Sequence, residues 1–275
     1  MMRRGPNVPK ACGWSGQWGR YCVGMAAVAF LLAVPVLGHA QSAAPGRLSA
    51  FATLLVWMPF ILKGFTLNIL MSVLAMMLAT AFGLGLGILQ ISQSPYVSAP
   101  ARFITHLLRN SPWLVILFVV MLLTPFEIRG FSGRMIGIPD WTKATVAFAL
   151  PVMANISEIF RGAVASIPAG QWDSAESLAF TRGQTLRWIV LPLCFRRMLP
   201  PWMNWYALLA MATPMASILG VHEAVGNAQA AMDAAGGRPD YLLFFYGFLM
   251  LLFFVFIYPI SVLTKKLEMK YGFTE

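Results

Sequence analysis

Residues Gly170 to Pro192, GQWDSAESLAFTRGQTLRWIVLP, form a polar, charged segment set between two long apolar runs. Apolar Trp172, Ala175, Leu178 and Ala179 recur at helical spacing, while Asp173, Glu176 and Ser177 occupy the other side. The segment reads as an ordered amphipathic helix, a turn and a second short helix, rather than as a slack linker. Flanked by hydrocarbon-soluble runs, such an element suits docking on a partner outside the bilayer. The chemistry it offers is recognition.

Other reactive residue types are sparse. Glu158 is an ionisable group within an apolar run, expensive there unless paired. Arg161 stands at i+3, the natural helix partner. An internal pair and a place on a solute path are the two readings of Glu158. Asn155, one turn earlier, and Asn68, Asn204, Thr213 and Ser217 in other apolar runs either bond helix to helix, the commoner role, or line a polar route. Gly83, Gly85 and Gly87 lack the strand and following helix of a nucleotide loop, so close helix packing is the better reading. No GxxxxGK[ST] pattern occurs, so ATP is not hydrolysed here. His39, His106 and His222 are isolated, and Cys12, Cys22 and Cys194 have neither metal spacing nor a disulfide framework. No catalytic group, cofactor or metal is expected.

The elements that position these residues follow from composition. Hydrophobic residues make up 59% of the chain and charged residues 11%, with a mean hydropathy of +0.70. A soluble domain carries about 25% charge. The fold class is therefore all-α integral membrane. The net charge of +10 has to be read by location; no basic patch interleaved with aromatics points to nucleic acid. With about 20 residues per span as the ruler, five core spans run over Leu67–Ile91, Phe103–Phe126, Ala144–Ile167, Trp202–Val221 and Tyr241–Leu263. The shorter run Phe51–Gly64 contains Pro59 and Lys63 and reads as an interfacial helix. No internal repeat is visible.

At the N-terminus, Arg3, Arg4, Lys10 and Arg20 precede the apolar run Tyr21–Leu37, followed by Gly38-His39-Ala40-Gln41. Residues 1–40 read as a cleaved signal peptide or an uncleaved extra helix. Either leaves residue 45 outside, so the loop 168–197 and the tail 264–275 fall in the cytoplasm. Ten Lys and Arg then lie inside against six outside, as the positive-inside rule requires. The outer loop before the last span is acidic on balance, with Glu223, Asp233 and Asp240 against Arg238. The organisation is residues 1–40, an external linker with interfacial helix over 41–66, a transmembrane domain over 67–263 and the tail.

The polar segment resembles the EAA motif of ABC importer permeases. Asp173-Ser174-Ala175 begins it, Ala179 stands at the motif's Gly position, and Ile189-Val190-Leu191-Pro192 ends it with the spacing intact. The flanks resemble the polar amino-acid branch: Glu158-Ile159-Phe160-Arg161-Gly162, Ser166-Ile167-Pro168-Ala169-Gly170-Gln171-Trp172, Arg109-Asn110-Ser111-Pro112, and Arg196-Arg197-Met198-Leu199-Pro200-Pro201 with Asn204. The resemblance covers roughly residues 60–268.

The resemblance implies a permease subunit of the bacterial inner membrane, not itself an enzyme, importing an amino acid or similar small polar solute. It implies two ABC ATPase subunits inside, a second permease subunit (a copy or a paralogue), and a periplasmic solute-binding protein outside. Gly170, Trp172, Asp173, Ala175, Leu178, Ala179, Ile189, Leu191 and Pro192 would form the ATPase-coupling element. Trp172, Leu178 and Phe180 would fill a groove on the ATPase. Asn155, Glu158, Asn204, Thr213 and Ser217 are the solute-path candidates. The alternative is an ATPase-independent secondary transporter or channel, which predicts several intramembrane carboxylates and an inverted repeat. Two departures stand out. Ala179 replaces Gly and is harmless if the position is helical. Met211-Ala212-Thr213-Pro214 stands where the family has Lys-Asp-Thr-Ser; it removes charge, and Pro214 should kink the helix and free a carbonyl near Ala210. The resulting route suits a zwitterionic or neutral solute.

Overall fold

The computed structural model describes residues 49–125, 127–129 and 135–271. The expected signal peptide or extra helix, most of the external linker and the last four residues of the tail lie outside them. Contacts divide the chain at residue 53, and the second unit, 54–275, carries the features below. Among the described residues, three helices are long and apolar enough to cross a membrane, or up to five spans if each bent pair counts as one.

Helix α1 runs unbroken from Ala50 to Gln90. Its 41 residues extend about 62 Å, twice the ~30 Å of a hydrocarbon core. The expected interfacial lead-in and the first span are therefore one element. Pro59 removes a single backbone bond, and in apolar surroundings a helix is the one local way to satisfy the remaining amides.

The expected second span is also corrected. Helix α2 covers Pro95–Asn110 and α3 covers Trp113–Leu123, with a 106° bend between them. Ser111 precedes a proline, which disfavours helical backbone, and both Ser111 and Pro112 are extended. A short antiparallel ribbon follows, β1 (Glu127–Arg129) with β2 (Met135–Gly137), pairing Glu127 with Gly137. It is the one strand pairing among the described residues. Helix α4, Asp140–Ala165, is the third span as expected.

The loop contains α5 (Ala169–Ser177), α6 (Arg182–Thr185) and a π turn over Leu186–Val190, which leads into α7, Leu191–Ala212. Pro214 changes the helix type, since α7 passes into a 3-10 helix over Thr213–Leu219. Gly220 closes it in the left-handed region at φ 83. The stretch expected as an outer loop holds another helix, α8 (Ala224–Ala234). Helix α9, Asp240–Tyr271, continues through the fifth span into the residues expected as a tail.

The core joins Met71, Ala75 and Ala79 of α1, Leu117 and Met121 of α3, Phe148, Val152 and Ile156 of α4, and Leu209 of α7. Small residues let backbones approach, the usual basis of packing between membrane helices. A Cβ on Gly83 would lie 2.7 Å from the Met153 carbonyl oxygen, and one on Gly87 2.7 Å from the Phe160 ring, whereas Gly85 faces open space. The close-packing reading of this stretch therefore holds for Gly83 and Gly87 and fails for Gly85. Gly83→Leu is expected to destabilise the detergent-solubilised protein by about 1–3 kcal/mol, and Gly85→Leu by less than about 0.5 kcal/mol. Equal falls in melting temperature would remove the assignment.

Candidate functional site

Helix α5 is held by one face. Ala175 is 1% exposed, and Trp172 packs on a cluster that includes Phe160, Val164, Ile167, Val190 and Met198. Trp172, half-buried, thus seats α5 on its own bundle. Gly170, Asp173 and Glu176 are exposed. Leu178 and Phe180 are 67% and 40% exposed, so these two apolar side chains remain available to a partner.

The end of α5 decides the Ala179 question. The Phe180 amide donates to the Ala175 carbonyl at 3.1 Å and the Ala179 amide to the Glu176 carbonyl at 2.8 Å. This bond pair is a Schellman cap, which needs a left-handed residue between the two. Ala179 has φ 57. The position is not helical, and an L-residue there costs about 1–2 kcal/mol. The missing glycine is a strain.

The second half of the loop is capped as well. The Gln184 amide donates to Thr181 Oγ1, and the Thr181 amide donates to Gln184 Oε1 at 2.8 Å, a capping box. At the π turn the Leu191 amide reaches back to the Leu186 carbonyl. Pro192 has no amide to continue an ordinary ladder, which accounts for a wider turn just before the Ile189-Val190-Leu191-Pro192 ending. Ile189 is half-buried and Leu191 and Pro192 are exposed; neighbouring Trp188 is 66% exposed. Arg197 closes the loop by donating from Nη1 to the Ser166 carbonyl and to Ser166 Oγ, each at 2.6 Å. Two stretches that only sequence motifs linked therefore touch.

The solute-path candidates fall into separate networks. Arg161 binds Glu158 through Nη2 at 2.8 Å, the expected internal pair. Arg109 joins from α2, 3.5 Å from Glu158 and 3.1 Å from Asn155 Oδ1. Thr213 belongs elsewhere: its hydroxyl donates at 2.8 Å to the Ala210 carbonyl, the group that Pro214 frees, and accepts from Asn68 Nδ2 at 3.0 Å. Ser217 bonds the Pro214 carbonyl in its own turn. Asn204 is exposed on α7.

Sequence reasoning missed the centre of one network. Glu223, expected as an outer-loop charge, is fully buried. It caps α8, accepting from the Val225 and Gly226 amides at 3.0 Å each and from Asn68 Nδ2 at 2.8 Å. Asn68 Oδ1 accepts from the Ala224 amide at 3.0 Å. A glutamate before Ala-Val-Gly-Asn was the available signal, and a weak one, because shorter side chains dominate N-caps. A second cluster, Gln90 with Thr105 and Ser157, was likewise invisible before α2 met α4.

The profile described as "Binding-protein-dependent transport system inner membrane component" matches residues 79–265. The chain belongs to this family. It is the membrane component of a binding-protein-dependent ABC importer, which favours that reading over an ATPase-independent transporter or channel. The family component is not itself catalytic. Among its relatives, the "probable amino-acid ABC transporter permease protein YckA" of Bacillus subtilis is 31% identical over 214 residues, 78% of this chain and 90% of that protein. The octopine transport system permease protein OccM of Rhizobium radiobacter is 32% identical over 178 residues, 63% and 72% of the two chains. In fold, the permease resembles a chain from a crystal structure of an amino acid ABC transporter, with a TM-score of 0.68 at 20% identity over 80% of this chain and 98% of that one. It also resembles a chain of the inward-facing MetNI methionine transporter, with a TM-score of 0.61 at 18% identity over 76% and 94%.

Three substitutions test these contacts. Ala179→Gly should slow amide hydrogen exchange at Ala179 and Phe180, because relieving about 1–2 kcal/mol of backbone strain outweighs the ~0.5–1 kcal/mol entropy cost of glycine. Faster exchange would contradict the strained cap. Glu223→Ala should cost about 2–4 kcal/mol, since it removes a cap and orphans Asn68, and Thr213→Val about 1–2 kcal/mol. Thermal unfolding in detergent reads both, and a change at Thr213 in solute preference without loss of stability would mark it as a lining group instead.

Proposed function

We propose that the permease imports an amino acid or similar small polar solute across the bacterial inner membrane. It works with a second permease, either a copy or a paralogue, two ATPase subunits on the coupling-loop side and a periplasmic solute-binding protein. The observation that carries this reading is the loop 168–197. It combines the family's Ile189-x-Leu191-Pro192 ending with an exposed, doubly capped helix-turn-helix at one end of the bundle. The named relatives support an amino-acid solute. The replacement of two charged or polar groups by Met211 and Ala212 supports a zwitterionic or neutral one. The ten-to-six distribution of basic residues supports the loop being cytoplasmic.

The mechanism is mechanical. Closure of an ATPase dimer draws the two coupling loops together. Leu178, Phe180 and the Asp173 carboxylate are the contacts that receive the pull, with Gly170 exposed at the start of α5. Seated by Trp172 and Ala175, α5 passes the displacement to α4, and the Arg197–Ser166 bonds pass it to α7. The bundle then moves as a rigid body between its two access states. Asn155, Glu158, Asn204, Thr213 and Ser217 remain the candidate route.

Asp173→Arg and Leu178→Glu should leave membrane levels normal while solute-stimulated ATP turnover falls at least tenfold and ATPase co-purification weakens. Unchanged turnover with normal co-purification in both variants would sink the coupling assignment. Equal uptake of sugars and amino acids by reconstituted complexes would sink the solute assignment.

A further inference from the structure

Helix α2 does not run in line with the helix that follows it. It is turned 106° from α3, while α3 lies along α4, sharing the core in which Leu117 and Met121 meet Ala144, Phe148 and Val152. Helix α2 meets α4 at a single level. Its Thr105 approaches Ser157 at 3.3 Å, and its Arg109 reaches Asn155 at 3.1 Å and Glu158 at 3.5 Å. Two positions one turn apart on α2 land within one turn of α4, so the helices cross rather than run side by side. That level lies about 26 Å along α4 from Asp140, close to the ~30 Å thickness of a hydrocarbon core. At 16 residues, α2 is about 24 Å long, too short to be a span itself.

Its three faces are distinct. Ser98, Ala101 and Thr105 are buried on the protein. Tyr96, Val97, Phe103, Ile104 and Leu107 form one exposed apolar stripe, with Phe103 67% exposed. Arg102, His106 and Arg109 share a third stripe, and the helix carries no carboxylate. We propose that α2 lies in the plane of the membrane interface on the coupling-loop side, with its apolar stripe among acyl chains and its basic stripe on anionic lipid headgroups. An apolar face beside a cationic one is the signature of a helix lying on a membrane rather than through it. The surrounding end of the bundle is also basic, with Arg182, Arg187 and Arg196, and this favours an anionic leaflet over a second copy of the chain. A two-fold contact through α2 would bring identical basic stripes toward each other. Because Arg109 grips Asn155 and Glu158, headgroup contact on α2 bears directly on α4.

The test uses the full-length chain with Cys12, Cys22 and Cys194 replaced, purified with its co-expressed partner subunits and reconstituted in vesicles containing phosphatidylglycerol. A nitroxide is placed singly at positions 96, 103 and 107, and its depth is read from collision with oxygen against a water-soluble nickel chelate. All three should sit at one shallow depth, within about 5 Å of each other, one helical turn, with high access to oxygen. A depth that changes steadily by about 1.5 Å per residue would make α2 part of a span and overturn the proposal. Poor oxygen access with spin–spin broadening would make it a seam between copies, with the same result. A photo-crosslinking residue at position 103 of the native-cysteine chain gives an independent reading: phospholipid adducts support the proposal, and dimers of the chain overturn it.

Discussion

In hydrocarbon every backbone polar group has to find its partner inside the protein, and this constraint shapes the molecule from end to end. It keeps α1 helical through Pro59. It turns hydroxyls back onto their own helices, as when Thr80, Thr145 and Thr264 each donate to the carbonyl four residues earlier. It also explains why the polar residues of the spans are clustered. Asn68 satisfies Thr213, Glu223 and Ala224 together, and the Gln90 amide nitrogen reaches both Thr105 and Ser157, while its Oε1 is buried without a protein partner. With no hydrophobic drive between helices in lipid, these ties and the close approach at Gly83 and Gly87 fix which helix lies against which.

The two ends of the bundle are built for different work. At the end away from the loop, α1, the 3-10 helix and α8 are stapled through Asn68 and Glu223, and a Cβ on Gly64 would meet the Glu223 carbonyl carbon at 2.6 Å. That packing has little slack. At the loop end the apolar cluster around Phe160 holds the root of α5, while most of the polar helix and its turn stand in the open. That contrast of a fixed root and a free tip suits the coupling role proposed for the loop. The caps at Ala179 and Thr181 keep the tip ordered without burying it.

The Arg109–Glu158–Arg161 group occupies the junction between these regimes. Two guanidiniums share one carboxylate, one from α2 and one from α4 itself. Two elements thus hold one carboxylate, and the group ties the bend at Ser111–Pro112 to α4. The bend, the crossing of α2 and the ion pairs form one construction.

The amino-acid sequence by itself determined the class, the broad span order and the family motif carried by the loop 168–197. Apolar run length is a local property, and so is the spacing from Asp173 to Pro192. The Glu158–Arg161 pair was legible for the same reason, since its partners are one helical turn apart. Tertiary structure decided the rest. That Trp172 packs on its own bundle depended on where Phe160 and Met198 came to lie. Whether Ala179 was harmless depended on backbone handedness, which an alanine does not announce. Glu223 looked like a loop charge until Asn68, 155 positions earlier, bonded to it. The second span looked straight because periodicity is blind to a bend set by Ser111 and Pro112. In each case the deciding partner lies far away in sequence or the deciding dihedral is not a matter of composition, and only the packed chain supplies it.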